Sequence, residues 1–456
     1  MQKSVLIICL TMLSLFCFAQ QNDSTTVKRI VDETMTNGTA YENLRMLCKQ
    51  VGPRLSGSPQ YLKAVELTSK MMKKLGVDKV YLQPCMVPHW VRGEKEVGYA
   101  VLKNGQKHSF KLCALGNSVG TGTKGLAGKV IEVRSMAELD KLGEAGVKGN
   151  IVFFNFKMNP TYIQTFRAYG ESGVSRNRGP ANAAKYGAIG AIVRSLGINP
   201  NDDPHTGATG YNPQYPKIPA VAISTNDADY FSNELKSNNV STAYFRTTSE
   251  MLPDEKGYNV VAEVRGSQYP EQIITVGGHL DSWDLAEGAH DDGTGVVQGM
   301  EVLRSILASG IKPKRTLRAV AFANEENGGR GGAAYLAAAK SNNEKHVFAL
   351  ESDNGGFTPR GFTFDASSEI VASINKWKGL FLPYGVYFML KGNSGSDVEP
   401  LNTIGVPTGE LATDTQRYFD IHHTPTDVFE NVSRRELLLG AANMAALVYL
   451  VSEYGL

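Results

Sequence analysis

From Tyr258 onward the chain repeats one kind of unit, a short apolar run followed by a polar break and a helical run. "NVVAEVRG", "EQIITVGGH", "RTLRAVAFANEE" and "KHVFALESD" have the length and the Val, Ile, Ala and Phe content of strands, whereas "GTGVVQGMEVLRSIL" and "GAAYLAAAK" are helical. Parallel strands need crossover connections that pack helices on the sheet faces. The expected fold class is therefore α/β, a mixed central sheet flanked by helices.

The chemistry-bearing residues of this region hold one position in each unit. They follow the last apolar residue of a strand: His279 in one, Glu325 and Glu326 in the next, Asp353 in the third. Asp291 and Asp292 stand just before a helix, and "YFDIHHTPTD" would bring His422 or His423 to the same edge. In open α/β sheets that carboxyl edge is where sites are built. Singly, each residue has an ordinary explanation. A strand histidine is usually a satisfied core or surface residue, a Glu-Glu pair is usually solvated, and "HDDG" could cap a helix with Asp292 as N-cap. Jointly, their placement points to a metal site.

The cysteines narrow the donors. Cys9 and Cys17 fall in an apolar leader, leaving Cys48, Cys85 and Cys113 with no C-x-x-C pair, so a metal must be held by His and carboxylate. One disulfide and three free thiols both remain open. Two histidines and three acids serve two metals if one carboxylate bridges them. Asp281, two residues after His279, is placed to accept the proton of the second imidazole nitrogen and orient the ring. In "NEEN" (324–327) two adjacent acids repel each other, which is relieved if one binds metal and the other accepts a proton.

The rest of the chain is less specific. "SVLIICLTMLSLFCFA" after Lys3 reads as a signal peptide over residues 1–19, giving a secreted or periplasmic protein without stable membrane association. No later stretch reads as long and apolar enough to span a bilayer. Residues 20–40 read as polar and loose, and two helices separated by "GPRLSGSP" follow. Residues 118–245 have short strands and long Gly, Asn and Pro-rich loops, so they read as a small β-rich domain inserted between segments 20–117 and 246–456 of the main domain. The net charge of +2 comes from well-mixed acids and bases, which gives no nucleic-acid footprint.

Beyond these residues the chain resembles a family. "GPRLSGS" (52–58), "PHWVRGE" (88–94), "YPEQIITVGGHLDSWD" (269–284), "DDGTG" (291–295), "PKRTLR" (313–318), "NEENGG" (324–329), "ESDNG" (351–355), "GVP" (405–407) and "HHTPTD" (422–427) occur in the order seen in the co-catalytic zinc exopeptidases, the family of bacterial leucyl aminopeptidases and plasma glutamate carboxypeptidase. The resemblance implies two zinc ions per chain, a peptide substrate and a homodimer. It implies His279 as a ligand of one metal, Asp291 as the bridging ligand, Glu326, Asp353 and His423 as further ligands, Glu325 as general base and Asp281 as the acid behind His279. It also implies a cis peptide bond after Asp291 and identifies the insert with a protease-associated domain. Asp397, in "NSGSD", aligns with a substrate loop and is a candidate for an α-ammonium group. His290 departs from the pattern and is expected to be a bystander, and His422 is the alternative to His423. Two other functions are weighed, a same-fold glutaminyl cyclase with one zinc and a non-catalytic binding protein. Metal counting separates the first, and the retained ligands and base argue against the second.

Overall fold

The structure, a computed structural model, describes residues 23–456. The expected signal peptide lies outside the described residues. Eight strands form the main sheet in the order Lys79–Val91, Glu250–Val264, Arg315–Phe322, Tyr269–His279, Lys345–Glu351, Thr408–Thr413, Pro359–Asp365 and Phe388–Lys391. The four middle strands, from Arg315–Phe322 to Thr408–Thr413, run parallel, and antiparallel strands flank them. Strand Tyr269–His279 has its successor Arg315–Phe322 on one side and Lys345–Glu351 on the other. The chain order therefore reverses at His279, which creates a crevice at that strand end.

Helices cover both faces. Helix Thr294–Ala308 packs beside strand Tyr269–His279, and Arg434–Tyr454 packs against that helix. The second helix is long and apolar enough to span a membrane by composition, contrary to the expectation from sequence. Here it is a core helix, buried almost without break from Leu437 to Ser452. The second departure is at the beginning of the described chain. Residues expected to be loose form a helix over 23–37. Val27, Ile30 and Val31, with Thr34, repeat at helical spacing and are buried, so a narrow apolar stripe docks a segment whose average composition is polar.

The inserted region has two sheets. One is Leu112–Ala114, Ala220–Ile223, Gly190–Arg194, Ile151–Phe154 and Val130–Val133, and the other joins Lys107–Ser109, Val97–Leu102, Val240–Arg246 and Leu126–Gly128. Helices Met136–Val147, Thr165–Asn177, Gly179–Lys185 and Thr225–Lys236 cover them, so helix accompanies strand throughout the insert. Strands Val97–Leu102 and Leu112–Ala114 belong to these sheets although they precede residue 118. Their partners, Val240–Arg246 and Ala220–Ile223, are more than a hundred residues away, beyond the reach of a local boundary signal. Cys48, Cys85 and Cys113 are free thiols, and burial pushes those of Cys48 and Cys113 up to about 12.

Close backbone approach sets the crevice. A Cβ on Gly277 would lie 1.9 Å from the Val320 carbonyl, and one on Gly299 would lie 2.9 Å from the Gly277 Cα. Helix Thr294–Ala308 therefore lies directly on strand Tyr269–His279, which brings Asp291 and Asp292 beside His279. Gly277→Ala is expected to destabilise the fold by about 1–3 kcal/mol through overpacking. A thermal melt within a degree of wild type would contradict this close-packing argument.

Candidate metal centre

The loop between His279 and Asp291 is built from outside itself. Arg54, fully buried, donates to the carbonyls of Leu280, Glu287 and Gly288, the last at 2.9 Å. Arg92 grips Asp284 with two hydrogen bonds of 2.6 and 2.8 Å and also donates to Ala114 O at 2.8 Å. Lys49 pairs with Glu287 at 2.7 Å. The "GPRLSGS" and "PHWVRGE" motifs thus contribute side chains that hold this loop. Of its three acids, Asp281, Asp284 and Glu287, the last two are structural.

Three elements converge on Asp291. Its Oδ1 is 3.2 Å from His279 Nε2, its Oδ2 is 3.2 Å from His423 Nε2, and His279 Nε2 is 3.5 Å from Asp353 Oδ1. His423 Nε2 is also 3.2 Å from Glu326 Oε2. His279, Asp291, Glu326, Asp353 and His423 therefore meet although they lie far apart in sequence. The Asp291–Asp292 peptide bond is cis, as the resemblance implied. Asp292 lies beside the centre, with a donor atom within 4.8 Å of those of His279 and Asp353, but its oxygens are engaged by the His279 N–H at 3.0 Å and the Gly295 N–H at 2.9 Å. It thereby caps the helix and ties it to the strand end.

Asp281 differs from expectation in detail. His279 Nδ1 lies 3.0 Å from the backbone carbonyl of Asp281 but 3.7 Å from its carboxylate. The carboxylate instead accepts the Glu325 N–H at 3.0 Å. Asp281 orients His279 through its main chain and Glu325 through its side chain. Glu325 lies at the surface of the centre and accepts a 2.7 Å hydrogen bond from Ser396 Oγ.

His422 and His423 stack with ring centroids 3.6 Å apart. His423 is nearer to Asp291 and also faces Glu326, whereas His422 Nε2 is 3.5 Å from Asp291. His423 has φ +62, an uncommon conformation for a residue with a side chain. The insert holds it there: Thr206 donates its N–H to the His423 carbonyl at 2.9 Å, and the Thr206 carbonyl lies 3.2 Å from His423 Nδ1. These histidines follow the short helix Tyr418–Ile421 and not a strand, because the fourth parallel strand, Thr408–Thr413, ends earlier. His290 has both ring nitrogens engaged, Nδ1 accepting from Gly356 N at 3.1 Å and Nε2 facing Asn431 O at 3.1 Å. That leaves it no lone pair for a metal.

Sequence reasoning gave Asp427 no role. It accepts the N–H groups of His290 at 2.7 Å and Asp291 at 3.1 Å, fixing the backbone of the central carboxylate. Asp397 is buried and does not line the cavity over the centre; Ser396 forms the wall there.

The donor set fits metal ions. His279 Nε2, Asp291 Oδ2 and Asp353 Oδ1 are buried without a hydrogen-bond partner among the described residues. Donor atoms of His279, Asp291 and Glu326, and of Asp291, His422 and His423, lie within 4.8 Å of one another. A void of about 10 Å³ lies between Asp291, Glu326 and His423. Burial, then the neighbouring Asp291 charge, pushes Glu326 up to about 8, and burial pushes Asp353 up to about 6. Burial opposes charge on Asp291 too, but the imidazoles of His279 and His423, each 3.2 Å from it, hold it well below the usual carboxylate range. A dication relieves this crowding of anions.

Imidazoles and carboxylates gathered at the switch point of an α/β sheet define a metallohydrolase. The profile of peptidase family M28 matches residues 259–448. Carboxypeptidase Q of Bos taurus is 35% identical over 414 residues, covering 91% of this chain and 85% of that protein. The Homo sapiens carboxypeptidase Q is 34% identical with the same coverage. The crystal structure of a peptidase M28 precursor from Shewanella amazonensis SB2B superposes with a TM-score of 0.90 at 31% identity, covering 95% of this chain and 97% of that one. The aminopeptidase from Aneurinibacillus sp. strain AM-1, at 21% identity and a TM-score of 0.63, shares the fold. The chain belongs to peptidase family M28, and it is a metallopeptidase.

If Asp427 sets the position of Asp291, Asp427→Ala lowers metal affinity by about 10–100-fold, measured by competition with a chromogenic chelator. His423→Ala is expected to lower the bound metal content and His422→Ala to leave it unchanged. The reverse result would exchange their roles.

Proposed function

We propose that the protein is a secreted or periplasmic di-zinc exopeptidase that hydrolyses free dipeptides and short peptides. The observation that carries this reading is the sharing of Asp291 between two donor groups, His279 with Asp353 and Glu326 with His423, next to Glu325. The Glu326 and His423 side supports two metals and speaks against the single-zinc cyclase. Export rests on the leader-like residues 1–19, and the insert is read as the protease-associated module. Homodimerisation rests on the resemblance alone.

The chemistry needs a polarised carbonyl, an activated water and a proton shuttle. Zinc, when bound, acts as a Lewis acid that polarises the scissile carbonyl and acidifies water. Glu325 accepts the proton of the attacking water and delivers it to the departing amine. Two contacts prepare it: Ser396 fixes one carboxylate oxygen, and Asp281 anchors its backbone N–H. The cavity above the cluster, about 700 Å³, is of small-molecule size. It includes Glu325, Asp353 and both histidines in its lining, so a short peptide can reach base and metal together.

Glu325→Gln preserves shape and removes the base. It is expected to keep the fold and two zinc ions per chain while kcat on a dipeptide falls by roughly 10²–10⁴-fold. Near-normal turnover in this variant, with metal content verified by elemental analysis, would remove Glu325 from the mechanism.

A further inference from the structure

Glu351 ends the strand Lys345–Glu351, is fully buried and does not line the cavity. A carboxyl group in such a place is costly unless hydrogen bonds compensate it. The partners it finds are main-chain N–H groups of a segment far along the chain. Its Oε2 accepts the Asp397 N–H at 3.1 Å and the Val398 N–H at 2.9 Å. The Asp397 side chain does not share in this hold, because neither of its oxygens has a hydrogen-bond partner among the described residues.

Close packing seats the same segment from two sides. A Cβ on Gly395 would lie 2.2 Å from Glu351 Cδ, so the main chain passes directly over the carboxyl group. A Cβ on Gly332, in helix Arg330–Ser341, would lie 2.6 Å from the Asp397 carbonyl oxygen. The segment is therefore wedged between the strand that leads to Asp353 and the helix that follows the Glu325–Glu326 pair. At its start, Thr408 Oγ1 donates to Ser394 Oγ at 2.8 Å. Between these anchors stands Ser396, exposed at the cavity wall, with its hydroxyl donated to Glu325 Oε1 at 2.7 Å. That is the one side-chain hydrogen bond of Glu325 among the described residues. An exposed hydroxyl holds a carboxylate in one orientation only if its own main chain is fixed.

We infer that Glu351 is a positioning residue for the proposed general base: it fixes the main chain around Ser396, and Ser396 fixes the Glu325 carboxylate. The inference rests on the exopeptidase reading and deepens it. The base is held by two separate routes, its N–H through Asp281 and its carboxylate through the segment anchored on Glu351. A proton acceptor confined to one orientation needs no reorganisation when water attacks. Glu351 itself does not reach the cavity, so loss of the anchor slows turnover without weakening substrate binding.

The test measures kcat and KM for Ala-Leu, zinc affinity and amide hydrogen exchange in wild type and variants. Ser396→Ala is expected to lower kcat about tenfold with KM within about twofold, and Ser396→Thr, which restores the hydroxyl, to recover most of the loss. Glu351→Ala should lower kcat by about the same factor, and adding Ser396→Ala to it should cost little more, because the two residues act in series. Glu351→Gln keeps one oxygen for both N–H groups and should stay within about threefold of wild type. Exchange at the Asp397 and Val398 amides should rise about tenfold in Glu351→Ala and stay protected in Glu351→Gln. Gly395→Ala displaces the segment without altering the strand, so it should reproduce the loss in kcat if Glu351→Ala folds poorly. Full additivity of Glu351→Ala with Ser396→Ala, or a wild-type kcat in Ser396→Ala, would overturn the proposal. A fall in zinc affinity that accounts for the lost turnover of Glu351→Ala would overturn it too, because Glu351 would then act through Asp353, which follows it closely on the same strand end. If wild type cleaves no dipeptide, the exopeptidase reading fails by itself, and unchanged exchange at Asp397 and Val398 in Glu351→Ala would overturn the anchor separately.

Discussion

Asp291 is the residue on which the other parts of the centre depend. It stands between His279 and His423 at 3.2 Å from each, in a place almost closed to water. A buried carboxylate is costly unless opposite charge and hydrogen bonds compensate it. Here compensation comes from both sides, which is why the residues on either side must stay fixed. Asp427 holds the Asp291 N–H, Asp292 holds the strand and the helix together, and Arg54 holds the intervening loop by its carbonyls. Each of these groups touches backbone. The centre is positioned by fixing main chain, and its side chains then project to one point.

The same constraint explains the glycines around it. Gly278 and Gly295 face the Asp292 carboxylate, and a Cβ on either would come within 2.3 Å of its oxygens. The strand end and the helix start can share Asp292 only because neither carries a side chain there. Close packing of helix on strand and burial of the central carboxylate are therefore one structural solution. Relaxing the first would separate His279 from Asp291.

Much of this was legible from the chain. Polar residues placed after successive apolar runs marked His279, Glu325, Glu326 and Asp353 as neighbours, because a parallel sheet aligns its strand ends. Asp427, Arg54 and Thr206 carried no comparable signal. Their contacts join segments more than a hundred residues apart, and all three act on or through main-chain atoms, which one residue's type does not advertise. The helix over 23–37 was hidden for a different reason. Its buried stripe of Val27, Ile30 and Val31 is narrow, and reading the segment by average polarity hid its periodicity. The start of the insert was missed because the partners of Val97–Leu102 and Leu112–Ala114 come so much later.

The insert is more than a cover. Through Thr206 it holds His423 in its left-handed conformation and faces its Nδ1, and through Arg92 the Thr206 region is tied to Asp284 in the loop after His279. One segment of the insert thus braces a metal-facing histidine, while another, with Arg178 and Thr209, forms the far wall of the cavity. A displacement of the insert would change the distance between the walls and the orientation of His423 together. That coupling gives a physical reason for the short substrates proposed above. A peptide that pushed the walls apart would loosen the histidine that faces Asp291 and Glu326, whereas one that fits between them leaves the centre intact.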